Sequence, residues 1–321
     1  MIGRALILKT AAWKPTERLV RKSFLFRPLV KRFIAGDSLE QALPVCEDLV
    51  GRGFFVTLDL LGENTNSAEE ASKAKNEYIR MLEAIANSPA TKAQKLVPFP
   101  DGGRNVEPCN ISIKLTQCGL DISDELAFET LLEVVETAKR LDLFVRVDME
   151  ASAYTERTMD VVSKAVQQTP YTGFVLQSYL KRTDDDLTRV IDLKGRCRLV
   201  KGAYLEPATV AFPDKRTVDE QYLKQAKRML KEAYYPAIAT HDESIIKELN
   251  AFVEQEKIDK ATFEYQMLFG IRRDLQDQLL KQGFNVRVYV PFGDAWYPYF
   301  TRRLAERPAN FFFILKSMFK G

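Results

Sequence analysis

The sequence predicts an α/β protein folded as a (βα)8 barrel, distorted and preceded by helices. Three observations carry this. Eight short, β-branched apolar runs recur along the chain, and seven amphipathic stretches fill the intervals between them. The count of eight favours closure into a barrel over an open doubly wound sheet. The length of 321 residues suits one such unit.

Residues 1–50 are expected to form a helical arm. Between Met1 and Phe33 there are nine Lys or Arg and one acid, Glu17. That basic, partly apolar arm is either a pair of leading helices with solvated faces or a peripheral membrane contact. The barrel, 51–307, begins with the turn "GRG" and the run Phe54–Leu61. "SAEE" at Ser67 is a capping box opening a helix to about Asn87. Residues 87–108 break the rhythm and read as a surface excursion. The second and third strands are Asn110–Thr116 and Phe144–Glu150, separated by a helix over Asp124–Leu141. A helix over Thr155–Gln168 leads to the fourth strand, Gly173–Leu180. "TDDD" at Thr183 puts acids at a helix N-terminus, where the dipole favours them. Gly195 is the expected stop of that helix. The fifth strand is Arg198–Leu205, and "TVDE" at Thr217 reads as the next capping box. Tyr235–His241, Ala261–Leu268 and Asn285–Phe292 complete the strands, with helices over Glu243–Glu256 and Arg272–Gln282 and a stop at Gly283. A last short helix, "YPYFTRRLAE", ends at Pro308, and 308–321 is an apolar segment expected to pack on the barrel.

Composition excludes several chemistries. The net charge of +3 shows no polyelectrolyte character and argues against nucleic acid as a partner. With one histidine, His241, a multi-histidine metal centre is ruled out, and no metal is expected. The four cysteines form no C-x-x-C pair and read as reduced thiols of a cytoplasmic protein. No run approaches the length of a membrane span. Neither a Rossmann fingerprint nor a P-loop is present.

Function in a barrel sits at the C-terminal strand ends. Interior positions are expected to be apolar, so polar residues there are candidates for a site. They are Glu63, Lys114, Asp148, Glu150, Gln177, Arg198, Lys201, His241, Glu264, Gln266 and Tyr289. The segment "KGAYLEP" adds Gly202, where a backbone can approach a ligand. In the last helix Tyr299, Arg302, Arg303 and Glu306 share one face. They form either a surface ion pair or, at a barrel mouth, a clamp for a carboxylate or phosphate.

Taken together, "LDLLGE", "SIKL", "VDME", "GFVLQSYLKR", "RLVKGAY", "ATH", "FEYQML" and the Y-x-x-R-R-x-x-E pattern resemble bacterial proline dehydrogenase, in its monofunctional form. The likeness runs from about Arg18 to Asn310, with a motif on every strand. The resemblance implies non-covalent FAD and oxidation of L-proline to Δ1-pyrroline-5-carboxylate, the first step of proline breakdown to glutamate. It implies a membrane quinone as electron acceptor, with residues 1–33 or the apolar end as possible membrane contacts. Carried over by motif, Arg302 and Arg303 bind the proline carboxylate, Lys114 assists there, and Asp148 positions Lys114 as a catalytic residue. Tyr289, Leu268 and Tyr299 enclose the ring, and Glu306 holds the arginine pair. Arg198, also catalytic, lies against the flavin and pairs with Glu63 as a gate. Val147, Gln177, Lys201, Gly202, Ala203, Thr240, His241 and Gln266 line the FAD. Asp242 stands where some relatives have asparagine, so no flavin contact is carried to it.

Two other readings compete. A Schiff-base lyase would use Lys114 or Lys201. A membrane-docking scaffold would use the basic arm, but it would not need polar residues at every strand end.

Overall fold

The computed structural model of the protein covers residues 17–18, 20–21, 26–62, 64–89, 97–99 and 105–306, the last four as backbone. Helices α1 (Arg27–Phe33) and α2 (Leu39–Gly51) lead into β1 (Phe55–Leu60), followed by α3 (Ala68–Asn87). Then come β2 (Cys109–Ile113), α4 (Asp124–Arg140), β3 (Val145–Val147), α5 (Ser152–Gln168), β4 (Thr172–Gln177) and α6 (Thr183–Asp192). The chain continues through β5 (Arg196–Val200), α7 (Lys215–Glu232), β6 (Ala237–Ala239), α8 (Glu243–Gln255), β7 (Glu264–Leu268), α9 (Arg273–Lys281), β8 (Asn285–Phe292) and α10 (Tyr297–Glu306).

The eight strands close into a barrel in sequence order, and every pairing is parallel. β1 closes the circle against β8, with Leu58 opposite Val290 on one side and Ile111 on the other. Alternation along the strands turns Val56, Leu58, Ile111, Ile113, Leu199 and Val288 outward, where the helices bury them completely. This belt between sheet and helices is the main core.

The lumen is not apolar as expected. Arg146, Arg196, Arg287, Glu107 and Glu264 are all buried there. Arg196 forks onto Glu107 at 2.9 Å through both terminal nitrogens, and Arg287 Nε donates to Glu264 at 2.8 Å. Arg146 Nη1 donates to the carbonyls of Arg196 and Phe174, at 2.8 and 3.0 Å. Gly173 makes room for it, since a Cβ there would lie 2.3 Å from the Arg196 carbonyl oxygen. Buried charges persist here because each is paired or hydrogen-bonded.

Three local expectations are corrected. The excursion after α3 is not all surface: Val97, Phe99 and Val106 are buried with Phe55 and Tyr235 and plug the lower end of the barrel. α7 begins before Thr217, at Lys215, because the Asp214 carboxylate accepts from the Thr217 amide at 2.8 Å and serves as the cap. After α6 it is Lys194, not Gly195, that takes the left-handed conformation, at φ 51°. Gly283 does so after α9 as expected, at φ 84°.

The barrel is distorted in a way that matters for the site. α2 packs outside β1 and β8, where the last helix of a regular barrel would lie. The helix following β8, α10, instead crosses the mouth. A second apolar cluster, with Leu29, Phe33, Leu61, Trp296 and Phe300, holds α10 there. The arm therefore spends the apolar face of α1 on the barrel, while Arg27, Lys31 and Arg32 face outward. Residues 1–16 and the apolar segment 308–321 lie outside the described residues, so neither expected membrane contact is described in full.

Candidate active site

The C-terminal strand ends surround a cleft of about 700 Å³. The sequence candidates Lys114, Asp148, Gln177 and Arg198 line it from β2 to β5. Lys201, Gly202 and Ala203 follow β5, and Thr240 and His241 follow β6. Gln266, Leu268 and Tyr289 line it from β7 and β8, and Tyr299 and Arg302 from α10. Val147 is the exception, because its side chain points into the apolar belt. Glu63 lies outside the described residues, as do the side chains of Arg303 and Glu306. Glu150 is turned aside, accepting from the Thr116 hydroxyl at 2.8 Å.

One hydrogen-bonded set organises the substrate-sized end. Lys114 Nζ lies 2.8 Å from Asp59 and 3.9 Å from Asp148. Asp59, on the first strand and 1% exposed, is thus the nearer partner; the sequence reading gave that role to Asp148 and passed over Asp59. Asp148 instead accepts from Arg198 Nη1 and from the Tyr289 hydroxyl, each at 2.7 Å. Burial alone would lower the pKa of Lys114, but the carboxylates of Asp59 and then Asp148 outweigh it and hold the ammonium above the ordinary lysine range. Burial, with Asp148 beside it, pushes the Tyr289 phenol well up, so it stays protonated and can donate. Arg198 is fixed from three sides, by Asp148, by Gln266 and by Ser112 Oγ at 3.1 Å, and its guanidinium lies 5.2 Å from the Tyr289 ring centroid.

The other end is built by loops. Lys201 is held between Asp219 at 2.5 Å and Asp242 at 2.9 Å. Asp242 also caps α8 by accepting from the Ser244 amide, and its charge answers Lys201. His241 Nε2 accepts from the Leu268 amide at 2.8 Å. Gly202, at φ 117°, brings the β5–α7 loop close to the Tyr179 ring. Gln177 Oε1 is buried in the cleft wall without a hydrogen-bond partner among the described residues. An extended ligand carrying a polar planar ring and anionic groups fits this wall: Gln177 would receive a donor from it, and Lys201 and Arg198 would meet its negative charge.

Asp59 and Tyr204 are among the lining residues that the sequence reading passed over. Asp59 alternates with Thr57 on the lumen side of β1, so the two-residue period was its signal. Tyr204 lies two residues after Gly202 and lines the cleft between the loop and Arg302. Among the described residues no cluster of acids, histidine and cysteines forms a metal site.

Comparison with known proteins bears on the fold and the family. The family described as Proline dehydrogenase matches residues 42–314. The chain is 39% identical over 299 residues to Proline dehydrogenase 1 of Bacillus subtilis (strain 168), covering 93% of each chain. It is 38% identical to Proline dehydrogenase of Deinococcus radiodurans over 323 residues, 99% of this chain and 98% of the relative. Among solved structures, proline utilization A from Bdellovibrio bacteriovorus, inactivated by N-propargylglycine, superposes with a TM-score of 0.81 at 25% identity. The likeness covers 88% of this chain but only 33% of that longer one.

Proposed function

The chain belongs to the proline dehydrogenase family and is an enzyme of that class; on that premise we propose that it oxidises L-proline to Δ1-pyrroline-5-carboxylate with non-covalently bound FAD. Gln177, Arg198, Lys201, Gly202, Ala203, Thr240, His241 and Gln266 would hold the cofactor, and Val147 would reach it only through its backbone. FAD, when bound, would supply the hydride acceptor for oxidation at proline C5. The chain's own task is to position a small zwitterion. Arg302 and Lys114, both at the cleft and both cationic, would take the carboxylate, with Arg303 as second fork and Glu306 aiming the pair. Tyr289, Leu268 and Tyr299 would confine the ring, with Tyr204 beside them. Asp148 would fix Arg198 and the Tyr289 hydroxyl, while Asp59 holds Lys114. The gate reading pairs Arg198 with Glu63; the three bonds that fix Arg198 suit a rigid wall better.

The observation that carries this reading is that Lys114 and Arg302 line one cleft, whose wall also offers a Gln177 oxygen without a partner among the described residues. The same Lys114 argues against a Schiff-base lyase. A nucleophilic lysine needs a lowered pKa, and this one is raised. The electrons would pass to a membrane quinone. No helix among the described residues is long and apolar enough to cross a bilayer.

The test is proline-dependent reduction of a dye acceptor by purified protein that carries flavin absorbance. Arg302→Met is expected to raise KM for proline about 10- to 100-fold, the loss of one charged hydrogen-bonded contact, while flavin content stays unchanged. Absence of flavin, or borohydride trapping of a carbonyl substrate on Lys114, would overturn the proposal.

A further inference from the structure

The basic arm has a second use, visible in how it meets the clamp helix. Arg21 Nη1 donates to the Asp294 carbonyl oxygen at 2.8 Å, and its guanidinium lies 4.8 Å from the Trp296 ring centroid. Glu17 orients it, accepting from Nε at 2.8 Å. Asp294 and Trp296 belong to the turn between β8 and α10, and the Trp296 carbonyl accepts the first helical bond of α10, from the Phe300 amide at 2.9 Å. The arm grips the same turn by its backbone. Gly293 N donates to Gly36 O, and Ala35 N donates to Pro291 O, both at 2.9 Å. Beyond the turn, Phe33 meets Phe300, their centroids 6.4 Å apart.

α10 has ten residues and lies over the barrel mouth rather than in the outer ring. A helix that short has little stability of its own, so its orientation is set by what it packs on. Its contacts toward the cleft are the residues that face substrate, Tyr299 and Arg302. Its contacts away from the cleft are mostly the arm, through Leu29, Phe33 and Ile34, with Leu61 and Ile271 beside them.

We infer that Arg21 is a positioning residue for substrate binding: it fixes the first turn of α10 and so sets where Arg302 and Tyr299 stand in the cleft. This rests on the reading that Arg302 meets the substrate carboxylate. The flavin-facing wall comes from the strands and loops of β4 to β7. The arm's grip on α10 therefore touches the substrate side alone.

The experiment uses the full-length flavoprotein and compares wild type, Arg21→Ala and Arg21→Lys. Arg21→Ala is expected to raise KM for proline about fivefold, through loss of a charged hydrogen bond and a cation–π contact. Its kcat should stay within about twofold and its flavin per chain should match wild type. Arg21→Lys, which keeps the charge over Trp296, should recover most of the affinity. A folded Arg21→Ala with wild-type KM overturns the inference. So does a parallel fall in kcat, flavin content and Tm, which would mark a merely structural role. Should Arg21→Ala not fold, Glu17→Gln loosens the same guanidinium and must raise KM in its place, or the inference fails. A wild type inactive on proline would sink the functional reading instead, so the two failures are distinguishable.

Discussion

Asp59 controls the charge and aim of Lys114 more directly than any other side chain. It is the nearer carboxylate, at 2.8 Å, and it is almost fully buried on β1. Removing it leaves a partly buried ammonium whose remaining acid is 3.9 Å away. Asp59→Ala is therefore expected to cost about 1.5–3 kcal/mol of stability, the loss of a charged hydrogen bond at a cleft that water reaches. Asp59→Asn keeps an acceptor and should be milder, with KM for proline raised about tenfold at most. Denaturant unfolding beside steady-state kinetics separates the two, and a neutral Asp59→Ala would show that Asp148 suffices. Because the folded pKa of Lys114 is raised, its charge persists above the pH at which a free lysine titrates, near 10.4. Proline affinity should consequently not weaken through Lys114 as pH rises from 7 to about 10. At this scale the sequence was informative wherever a charge interrupted a strand, as with Lys114, Asp148 and Arg198. Asp59 was harder to read because it lies within β1 on the lumen face, while the candidate Glu63 stands just beyond the strand. Tyr204 escaped because an aromatic in a loop carries no mark that tells a lining residue from packing.

All eight strands were legible as elements, because β-branched runs bounded by capped helices have few alternatives. Their ends were less so. β3 and β6 have only three residues each, since the chain leaves the ladder to build the cleft just where the polar residues begin. The segment before β2 shows why composition misleads. Its Pro, Gly and Lys look solvated, yet Phe99 is 2% exposed and stacks edge-on to Tyr235 at a centroid distance of 5.2 Å. If the segment were surface, Phe99→Ala would change stability by less than about 0.5 kcal/mol. As a plug under the barrel it should cost about 3–5 kcal/mol. Thermal or denaturant unfolding decides between these, and because the plug lies at the opposite end from the cleft, KM for proline should be unaffected. The arginine motif after the eighth strand pointed α10 to the mouth, but the packing that puts it there was not readable. A short amphipathic helix after the eighth strand fits the outer ring equally well, and only the packing of α2 into that place displaces it.

The whole barrel is organised along its axis by charge. A floor of Glu107, Arg196 and Arg287 connects through Glu264 and Gln266 to Arg198 and Asp148 at the mouth. Burial would raise the Glu107 carboxyl, but Arg196 and Arg287 overcome it and hold it at about 2. Glu264 is likewise lowered, by Arg287 against burial. A carboxylate depressed in the folded state contributes stability that is fully present above its unfolded pKa and lost as pH falls through its folded one. For Glu107 the window runs from about 4.5 down to about 2. The lowering corresponds to about 3 kcal/mol. Stability should thus be flat with respect to these two groups above pH 5 and fall steeply below it. Salt should change this little, because the pairs are buried beyond the reach of screening. Guanidinium unfolding at a series of pH values measures the slope, and Glu107→Gln provides the control. That variant should be weaker at pH 7, since two guanidiniums lose their anion, and its stability should fall less between pH 4.5 and 2 than that of the wild type. If both proteins lose stability in parallel over that range, the charged floor is not what acid attacks, and the carboxylates at the mouth become the groups to titrate next.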